Sequence, residues 1–177
     1  MSVDSVGAAF QRVEAVLKRR PETGVHDDAP ATARWQGGTR MVASHATGTE
    51  IATDMPTEFG GTGDKVSPGW LFRAGTAACT ATTIQLRAAA RGIALSVLEV
   101  RVTSQSDARG MFEMADADGR IVPARPLAVQ LEVRIAAAGR GPAELTTLVE
   151  DSCRCSPITD AVSHPVPTAV RVVVVEG

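Results

Sequence analysis

The segment from Ser67 to Arg91 constrains the fold more than any other part of the chain. It begins with a serine cap followed by Pro68 at the first helical position, and Gly92 follows its last residue. Between these ends it is rich in alanine and carries few charges. A helix that is apolar over most of its surface is usually buried in a core or in a subunit interface. The sequence therefore predicts that this is the central helix of the fold.

The composition predicts one globular domain that pairs with a copy of itself. The chain has 177 residues, of which 44% are hydrophobic and 21% are charged, and this length allows a sizeable core. Aromatic residues make up only 3%, and tyrosine is absent, so the core must be built from Ala, Val, Leu and Ile. A chain with so few rings often gains apolar burial by self-association, which favours a homodimer.

The segments on both sides of the central helix predict an α+β architecture. Residues 1–30 are expected to form an N-terminal helix, over residues 5–20, and a linker; residues 31–177 form the main domain. Alternation of apolar and polar residues predicts an antiparallel meander of three strands near residues 31–35, 39–44 and 50–53. After the central helix we expect strands at 95–104 and 127–135, helices at 142–151 and 157–163, and a closing strand at 167–175.

Charge and hydropathy exclude several function classes. The net charge is −2 and the basic residues are scattered, so nucleic acid is not an expected partner. No stretch reaches the roughly 18 apolar residues that span a bilayer, and the N-terminus lacks the pattern of a signal peptide. We therefore expect a cytoplasmic protein without membrane contact. The glycine cluster at 60–63 lacks the context of a P-loop or dinucleotide site, so it predicts a turn and no cofactor.

The three cysteines are the candidate catalytic residues. Cys79 lies within the central helix, while Cys153 and Cys155 lie beside a turn. A thiol becomes a nucleophile only as thiolate, which needs a cation, a helix N-terminus or an acid–base neighbour. Cys79 lies about three turns into its helix, so it needs a cation from elsewhere, and Arg40 is one candidate. Alternatively, these thiols are structural, with Cys79 a small apolar filler.

A metal site is the weaker interpretation. Cys153, Cys155 and His164 offer three soft ligands, whereas structural zinc usually has four ligands and pairs them at characteristic spacings. The other histidines, His26 and His45, are far away in the sequence. The sequence therefore predicts no metal.

Several short segments, spread over about residues 31 to 175, carry a recognisable pattern. They are Glu58-Phe59-Gly60-Gly61-Thr62-Gly63, Ser67-Pro68, Leu71-Phe72-Arg73-Ala74-Gly75, Ala78-Cys79, Arg91-Gly92-Ile93, Leu98-Glu99-Val100, Cys155-Ser156-Pro157-Ile158 and Pro165-Val166-Pro167. With these segments the chain resembles the OsmC/Ohr family of bacterial hydroperoxide-reducing proteins. The resemblance implies an intertwined homodimer in which curved antiparallel sheets wrap around central helices, with active sites at the subunit interface.

The resemblance also implies a chemistry. In active members of the family, a cysteine on the central helix attacks the peroxide and becomes a sulfenic acid, a second cysteine condenses with it, and a dithiol reduces the disulfide. Residue by residue, the first cysteine falls on Cys79 and the activating arginine on Arg40. The resolving cysteine falls nearest to Cys155, with Cys153 a second candidate. The implied function is a thiol-dependent peroxidase for organic hydroperoxides.

Two positions depart from the family pattern. Gly69 occupies the position of the glutamate that holds the arginine, so Glu58 or Asp54 would have to substitute. Ser156 occupies the position of the resolving cysteine, and one residue on a helix start is about 100° of rotation. Two alternatives follow: an OsmC-fold stress-response protein without peroxidase activity that binds a small apolar or electrophilic ligand at the dimer interface, or a purely structural dimer.

Overall fold

Four α-helices and five β-strands make up the described part of the chain. The computed structural model describes residues 3–176, with side chains from residue 5 onward. The elements are α1 (Val3–Arg19), β1 (Thr32–Trp35), β2 (Met41–Ser44), β3 (Glu50–Thr53), α2 (Pro68–Ala90), β4 (Leu95–Gln105), β5 (Ala128–Ala137), α3 (Pro142–Arg154) and α4 (Pro157–Ser163). This order confirms the α+β class and, apart from the closing strand expected at 167–175, the element types predicted on both sides of the central helix.

The strands form two separate antiparallel sheets. In the first, β2 lies between β1 and β3, and Met41 pairs with Thr53. This arrangement confirms the predicted meander. In the second, β4 and β5 form a long pair in which Leu98 lies opposite Ile135. Partly buried residues alternate with exposed ones along both strands of this pair, and β4 packs against α2 while β5 contacts α3.

Helix α2 is the central helix, as predicted. The Ser67 hydroxyl accepts the backbone N–H of Trp70 at 3.2 Å, and Gly92 ends the helix with φ of 66°. Helices α1, α3 and α4 and strand β4 all pack against it. The core lies at its C-terminal end, where Ala88 and the neighbouring Ile93 pack with Leu145 and Leu148 of α3. Aliphatic and small residues thus build the core, as the scarcity of aromatic residues predicted.

Helix α1 docks closely onto the C-terminal end of α2. A Cβ atom at Gly7 would lie 2.4 Å from the carbonyl oxygen of Ala89, so only glycine permits this approach. The Gln11 side chain donates to the carbonyl of Ala90 at 3.1 Å, which satisfies an acceptor at the helix end.

The predicted closing strand at 167–175 is wrong for the single chain. Residues 165–176 contain no strand or helix, and Val170 and Val174 are 86% and 90% exposed. A β-strand needs an adjacent edge with which to exchange backbone hydrogen bonds, and none of the described strands pairs with this segment. The segment at 167–175 has the apolar residues of a strand, but no described strand is hydrogen-bonded to it.

Candidate functional site

At the junction between α3 and α4, the buried side chain of Ser156 contacts the sulfur of Cys79. The hydroxyl of Ser156 donates to Cys79 Sγ over 3.3 Å. Ser156 is fully buried and Cys79 is half-buried. The sequence causes this turn locally, because Cys155 ends α3 and Pro157 opens α4 with Ser156 between them.

Behind Ser156 the hydroxyl contacts continue into the protein. Thr159 Oγ1 lies 3.1 Å from Ser156 Oγ and 2.8 Å from Thr80 Oγ1. Thr80, one residue after Cys79 and fully buried, reaches the carbonyl oxygen of Thr76 at 2.8 Å. Cys79 therefore stands at the outer end of a continuous chain of hydroxyl groups that runs between α2 and α4.

Cys155 has a different environment from Cys79. It is exposed, and Nη1 of Arg87 lies 3.5 Å from its Sγ. The Nε atom of Arg87 is buried and has no hydrogen-bond partner among the described residues. Nearby, Arg91 donates to Asp151 at 2.8 Å, and this bond, followed by the charge of Arg154, holds the pKa of Asp151 below its ordinary value. Arg87 is thus the described polar contact of the Cys155 sulfur, while Arg91 and Arg154 both bind Asp151.

Cys153 is poorly suited to thiolate chemistry. It is half-buried near the end of α3. Burial raises the pKa of the Cys153 thiol, and the negative charge of Glu150 raises it further. Since the thiolate is the reactive form, Cys153 is the weaker of the two candidate resolving thiols.

Arg40 lies beside the β1–β3 sheet in a network of polar groups. Its Nη2 atom donates to Asp54 at 2.9 Å and to Thr62 at 2.7 Å, and it also binds Asp64. The hydrogen bond to Asp54 is the main reason that the pKa of Arg40 lies above its ordinary value. The Arg40 guanidinium therefore binds these carboxylates, whereas the described polar contact of Cys79 Sγ is Ser156.

Of the two carboxylates proposed from the sequence, Asp54 binds Arg40 and Glu58 does not among the described contacts. Asp54 is buried, and hydrogen bonds from the hydroxyl of Thr39, from Arg40 and from Thr62 lower its pKa far below the ordinary value. The loop after β3 closes tightly over it, because a Cβ atom at Gly61 would lie 1.8 Å from the carbonyl oxygen of Met55. Glu58 bonds only locally, through the hydroxyl of its neighbour Thr57 at 3.4 Å. The glycine cluster at 60–63 is thus a turn that serves the Arg40 network.

Several open grooves lie elsewhere on the described surface, and two of them include residues named above. The larger, about 560 Å³, lies between β5 and α3 and is mainly apolar, with Val133, Ile135 and Leu145 among its lining residues. The smaller, about 290 Å³, is polar and includes Arg40 and Asp54. Cys79 lines neither groove.

The histidines bond locally. His26 lies 3.5 Å from Asp28, and His164 lies 3.0 Å from Asp160. Across residues 3–176, no three side chains of His, Cys, Asp or Glu are grouped so that they could hold a metal ion. In the same range, no helix combines the length and apolar character that a membrane crossing needs.

Sequence reasoning did not single out Thr80 or Thr159, and it treated Ser156 only as a departure from a pattern. A weak local signal exists, since Thr76 and Thr80 are four residues apart and Ser156 and Thr159 are three apart, spacings that place side chains on one helical face. The packing of α4 on α2, which joins the two pairs, is a tertiary contact that this spacing does not reveal.

Comparison with known proteins agrees with this architecture. The family model for OsmC-like protein matches residues 61–171, which is more than half of the chain. The OsmC-like protein of Mycoplasma pneumoniae superposes with a TM-score of 0.65 at 19% identity, covering 80% of this chain and 91% of that chain. An organic hydroperoxide resistance protein of Legionella pneumophila gives a TM-score of 0.57 at 22% identity, with 78% and 90% covered. The organic hydroperoxide resistance protein OhrB of Bacillus subtilis gives 0.51 at 21% identity, with 78% and 93% covered. No curated protein sequence matches.

Proposed function

Because the chain belongs to the OsmC-like protein family, we propose that it is a thiol-dependent peroxidase that reduces organic hydroperoxides, with Cys79 as the nucleophile. The observation that carries this proposal is the position of Cys79, half-buried on the central helix with a buried hydroxyl donor 3.3 Å from its sulfur. The names of the structural relatives from Legionella pneumophila and Bacillus subtilis support the choice of organic hydroperoxides.

In the first step, the Cys79 thiolate attacks the terminal oxygen of the hydroperoxide. The O–O bond breaks, Cys79 becomes a sulfenic acid, and the other oxygen leaves as an alcohol after taking up a proton from water. The Ser156 hydroxyl donates to this sulfur over 3.3 Å.

Apolar side chains near Cys79 suit the organic part of the substrate. Phe72 precedes Cys79 by seven residues, which is within about 20° of two full helical turns, so both lie on one face of α2. Phe72 is partly exposed. On the same side, a Cβ atom at Gly75 would lie 3.7 Å from the Cδ1 atom of Ile158 on α4. These groups form an apolar approach to the sulfur, which favours organic hydroperoxides over hydrogen peroxide.

In the second step, the Cys155 thiol condenses with the sulfenic acid, so that a disulfide forms and water leaves. A dithiol reductant then restores both thiols by exchange. Cys155 is preferred over Cys153 because Arg87 lies against its sulfur, whereas burial raises the pKa of the Cys153 thiol. Cys155 directly precedes Ser156, so the α3–α4 junction has to turn for the two sulfurs to meet.

The proposed active form is a homodimer. Two observations support it: the apolar C-terminal segment at 165–176 has no strand partner among the described residues, and an apolar groove lies open between β5 and α3. In this dimer the interface completes the active site, and Arg40, held by Asp54, is the cation that assists Cys79.

A second candidate function has one observation in its favour. Ser156 contacts the Cys79 sulfur at the position where the family pattern has its resolving cysteine. A protein that binds a small apolar or electrophilic ligand beside Cys79, without turnover, would need no resolving thiol at that position.

One assay separates the two functions. Stopped-flow mixing measures the consumption of cumene hydroperoxide by the protein with dithiothreitol as reductant. We expect rapid consumption by the wild type and by the matched control Cys153→Ser, and only the protein-free rate for Cys79→Ser. Equal slow rates for the wild type and Cys79→Ser would exclude the peroxidase and leave ligand binding.

A further inference from the structure

The hydroxyl chain behind Cys79 can run in two directions. Its four contacts join Cys79 to Ser156, Ser156 to Thr159, Thr159 to Thr80, and Thr80 to the carbonyl oxygen of Thr76. Each hydroxyl carries one proton. With the thiol protonated, four protons serve four contacts if the hydroxyls rotate to point from the sulfur towards the Thr76 carbonyl, which reverses the Thr159-to-Ser156-to-sulfur direction seen in the structure.

When Cys79 ionises, three hydroxyl protons remain for the same four contacts. The hydroxyls can then all rotate so that Thr80 donates to Thr159, Thr159 to Ser156, and Ser156 to the thiolate. The contact that loses its proton is the one to the Thr76 carbonyl. That carbonyl keeps the backbone N–H of Thr80, since the two residues are four apart within α2. The chain therefore serves both ionisation states without leaving an orphaned group.

We propose that Ser156, Thr159 and Thr80 form a reversible hydroxyl relay that stabilises the ionised Cys79. Ser156 is the direct donor, and the two threonines are positioning residues that act through it. No O–H bond breaks in the relay; the thiol proton goes to solvent water and the hydroxyls only reorient. The inference rests on the proposed role of Cys79 as the nucleophile, but it concerns the thiol before any peroxide arrives.

Burial makes the relay effective. Ser156 and Thr80 are fully buried, so water does not compete for their hydroxyls, and Thr159 between them is half-buried. A donor that is already oriented needs no reorganisation when charge develops, and each hydroxyl that accepts a hydrogen bond becomes a stronger donor.

Several charged groups on α2 and on the elements packed against it have other described partners, while Arg101 of β4 and Glu150 of α3 have no hydrogen bond or ion pair among the described contacts. Arg73 donates to Ser104 of β4, Arg87 to Cys155, Arg91 and Arg154 to Asp151, and Arg134 to Glu99 of β4, while Asp160 pairs with His164. Helix α1 meets α2 at Ala89 and Ala90, more than two turns from Cys79. The relay is the described set of hydroxyl groups that hydrogen bonds connect to the Cys79 sulfur.

The test measures the pKa of Cys79 from the pH dependence of its alkylation by iodoacetamide. The background is Cys153→Ser with Cys155→Ser, so that one thiol reacts. We expect Ser156→Ala to raise the pKa by about 1–2 units, since it removes a hydrogen bond to a charged atom. Thr159→Val is expected to raise the pKa by a smaller amount, and Thr159→Ser, which keeps a hydroxyl, to restore the original value.

Two matched controls remove a nearby hydroxyl that lies outside the relay. Thr83 donates to the backbone carbonyl of Cys79, and Ser163 donates to the backbone carbonyl of Thr159. Thr83→Val and Ser163→Ala should leave the pKa unchanged. A general loss of packing around the site would instead move the pKa in these controls as well.

A double-mutant cycle decides whether Thr159 acts through Ser156. In the presence of Ser156→Ala, the further change Thr159→Val should have no effect on the pKa. An unchanged pKa in Ser156→Ala, or an equal shift from Thr159→Val with and without Ser156, would overturn the relay. If Ser156→Ala does not fold, the comparison of Thr159→Val with Thr159→Ser is the test. Equal pKa values of Cys79 in these two variants would refute the relay. Because no peroxide is used, a failure of the relay and a failure of the peroxidase give different results.

Discussion

Replacing Ser156 by cysteine should give the protein a resolving thiol in direct reach of Cys79. In the structure, Ser156 Oγ lies 3.3 Å from Cys79 Sγ. A disulfide joins two sulfurs at about 2.05 Å, so the two atoms have to approach by about 1 Å. Ser156 sits at a short junction between α3 and α4, and such a turn can supply a shift of this size. Ser156→Cys should therefore form a disulfide with Cys79 on oxidation.

The stabilisation by this bond follows from the length of chain that it closes. Positions 79 and 156 are 77 residues apart. For a loop of this length, the entropy removed from the unfolded chain corresponds to about 4.5 kcal/mol at 25 °C. In a chain of this size, that free energy raises the Tm by about 10 °C. The comparison is between the oxidised and reduced forms of the same variant, so the lost serine hydroxyl cancels.

The assay oxidises Ser156→Cys with one equivalent of cumene hydroperoxide, in a background where Cys153 and Cys155 are serine. Mass spectrometry of the peptides should then show the new cross-link, and calorimetry with and without a reductant should show the rise in Tm. The background without Ser156→Cys is the control and should show neither. A variant that folds and oxidises but forms no cross-link with Cys79 would refute the placement of the α3–α4 junction against α2.

Two further predictions test the core and the buried carboxylate. Leu148 is fully buried among Ala88, Ile93 and Leu145, so Leu148→Ala should lower the free energy of unfolding by about 2–5 kcal/mol in urea titrations. Val25→Ala, at an exposed position, should change it by less than about 0.5 kcal/mol. The pKa of Asp54 is lower in the folded protein than its ordinary value of about 4, so its contribution to stability is present above pH 4 and lost as the pH falls below it. Asp54→Asn should therefore unfold at lower urea concentration at neutral pH and lose less stability than the wild type between about pH 4 and 2. Equal acid sensitivity of the two proteins would contradict this role for Asp54.

Elements with local end signals were predictable from the sequence. The serine cap and proline at the start of α2 and the glycine after its end fix both boundaries through backbone chemistry alone. The three-stranded meander was also predictable, because the alternation of apolar and polar residues is visible in the sequence itself. The strand expected at 167–175 is different in kind, because a strand exists only where a second edge accepts its hydrogen bonds.

The partner of Arg40 depended on strand register. The sequence left Asp54 and Glu58 open, because both carboxylates follow β3. In the structure Met41 pairs with Thr53, so the next residues outward, Arg40 and Asp54, come opposite each other. A register shift of one residue would have moved Asp54 to the other face of the sheet. The observed register therefore makes Asp54, and not Glu58, the partner of Arg40.

The environment of the cysteines depended on how two helices meet. The offset of Cys155 from the family position was visible in the sequence, and the structure gives its consequence: Ser156 reaches the Cys79 sulfur, and Cys155 turns towards Arg87. Thr159 and Thr80 become partners only because α4 packs on α2. Such contacts between distant segments have no local signature.

The most direct test of the central claim traps the oxidised form of Cys79. The protein is treated with one equivalent of cumene hydroperoxide in the presence of dimedone, which labels sulfenic acids, and the labelled peptide is identified by mass spectrometry. The account predicts that the label lies on Cys79, that it increases when Cys155 is replaced by serine, and that Cys79→Ser abolishes it. A label on Cys153 or Cys155 with Cys79 unmodified would contradict the assignment of Cys79 as the peroxide-reactive thiol.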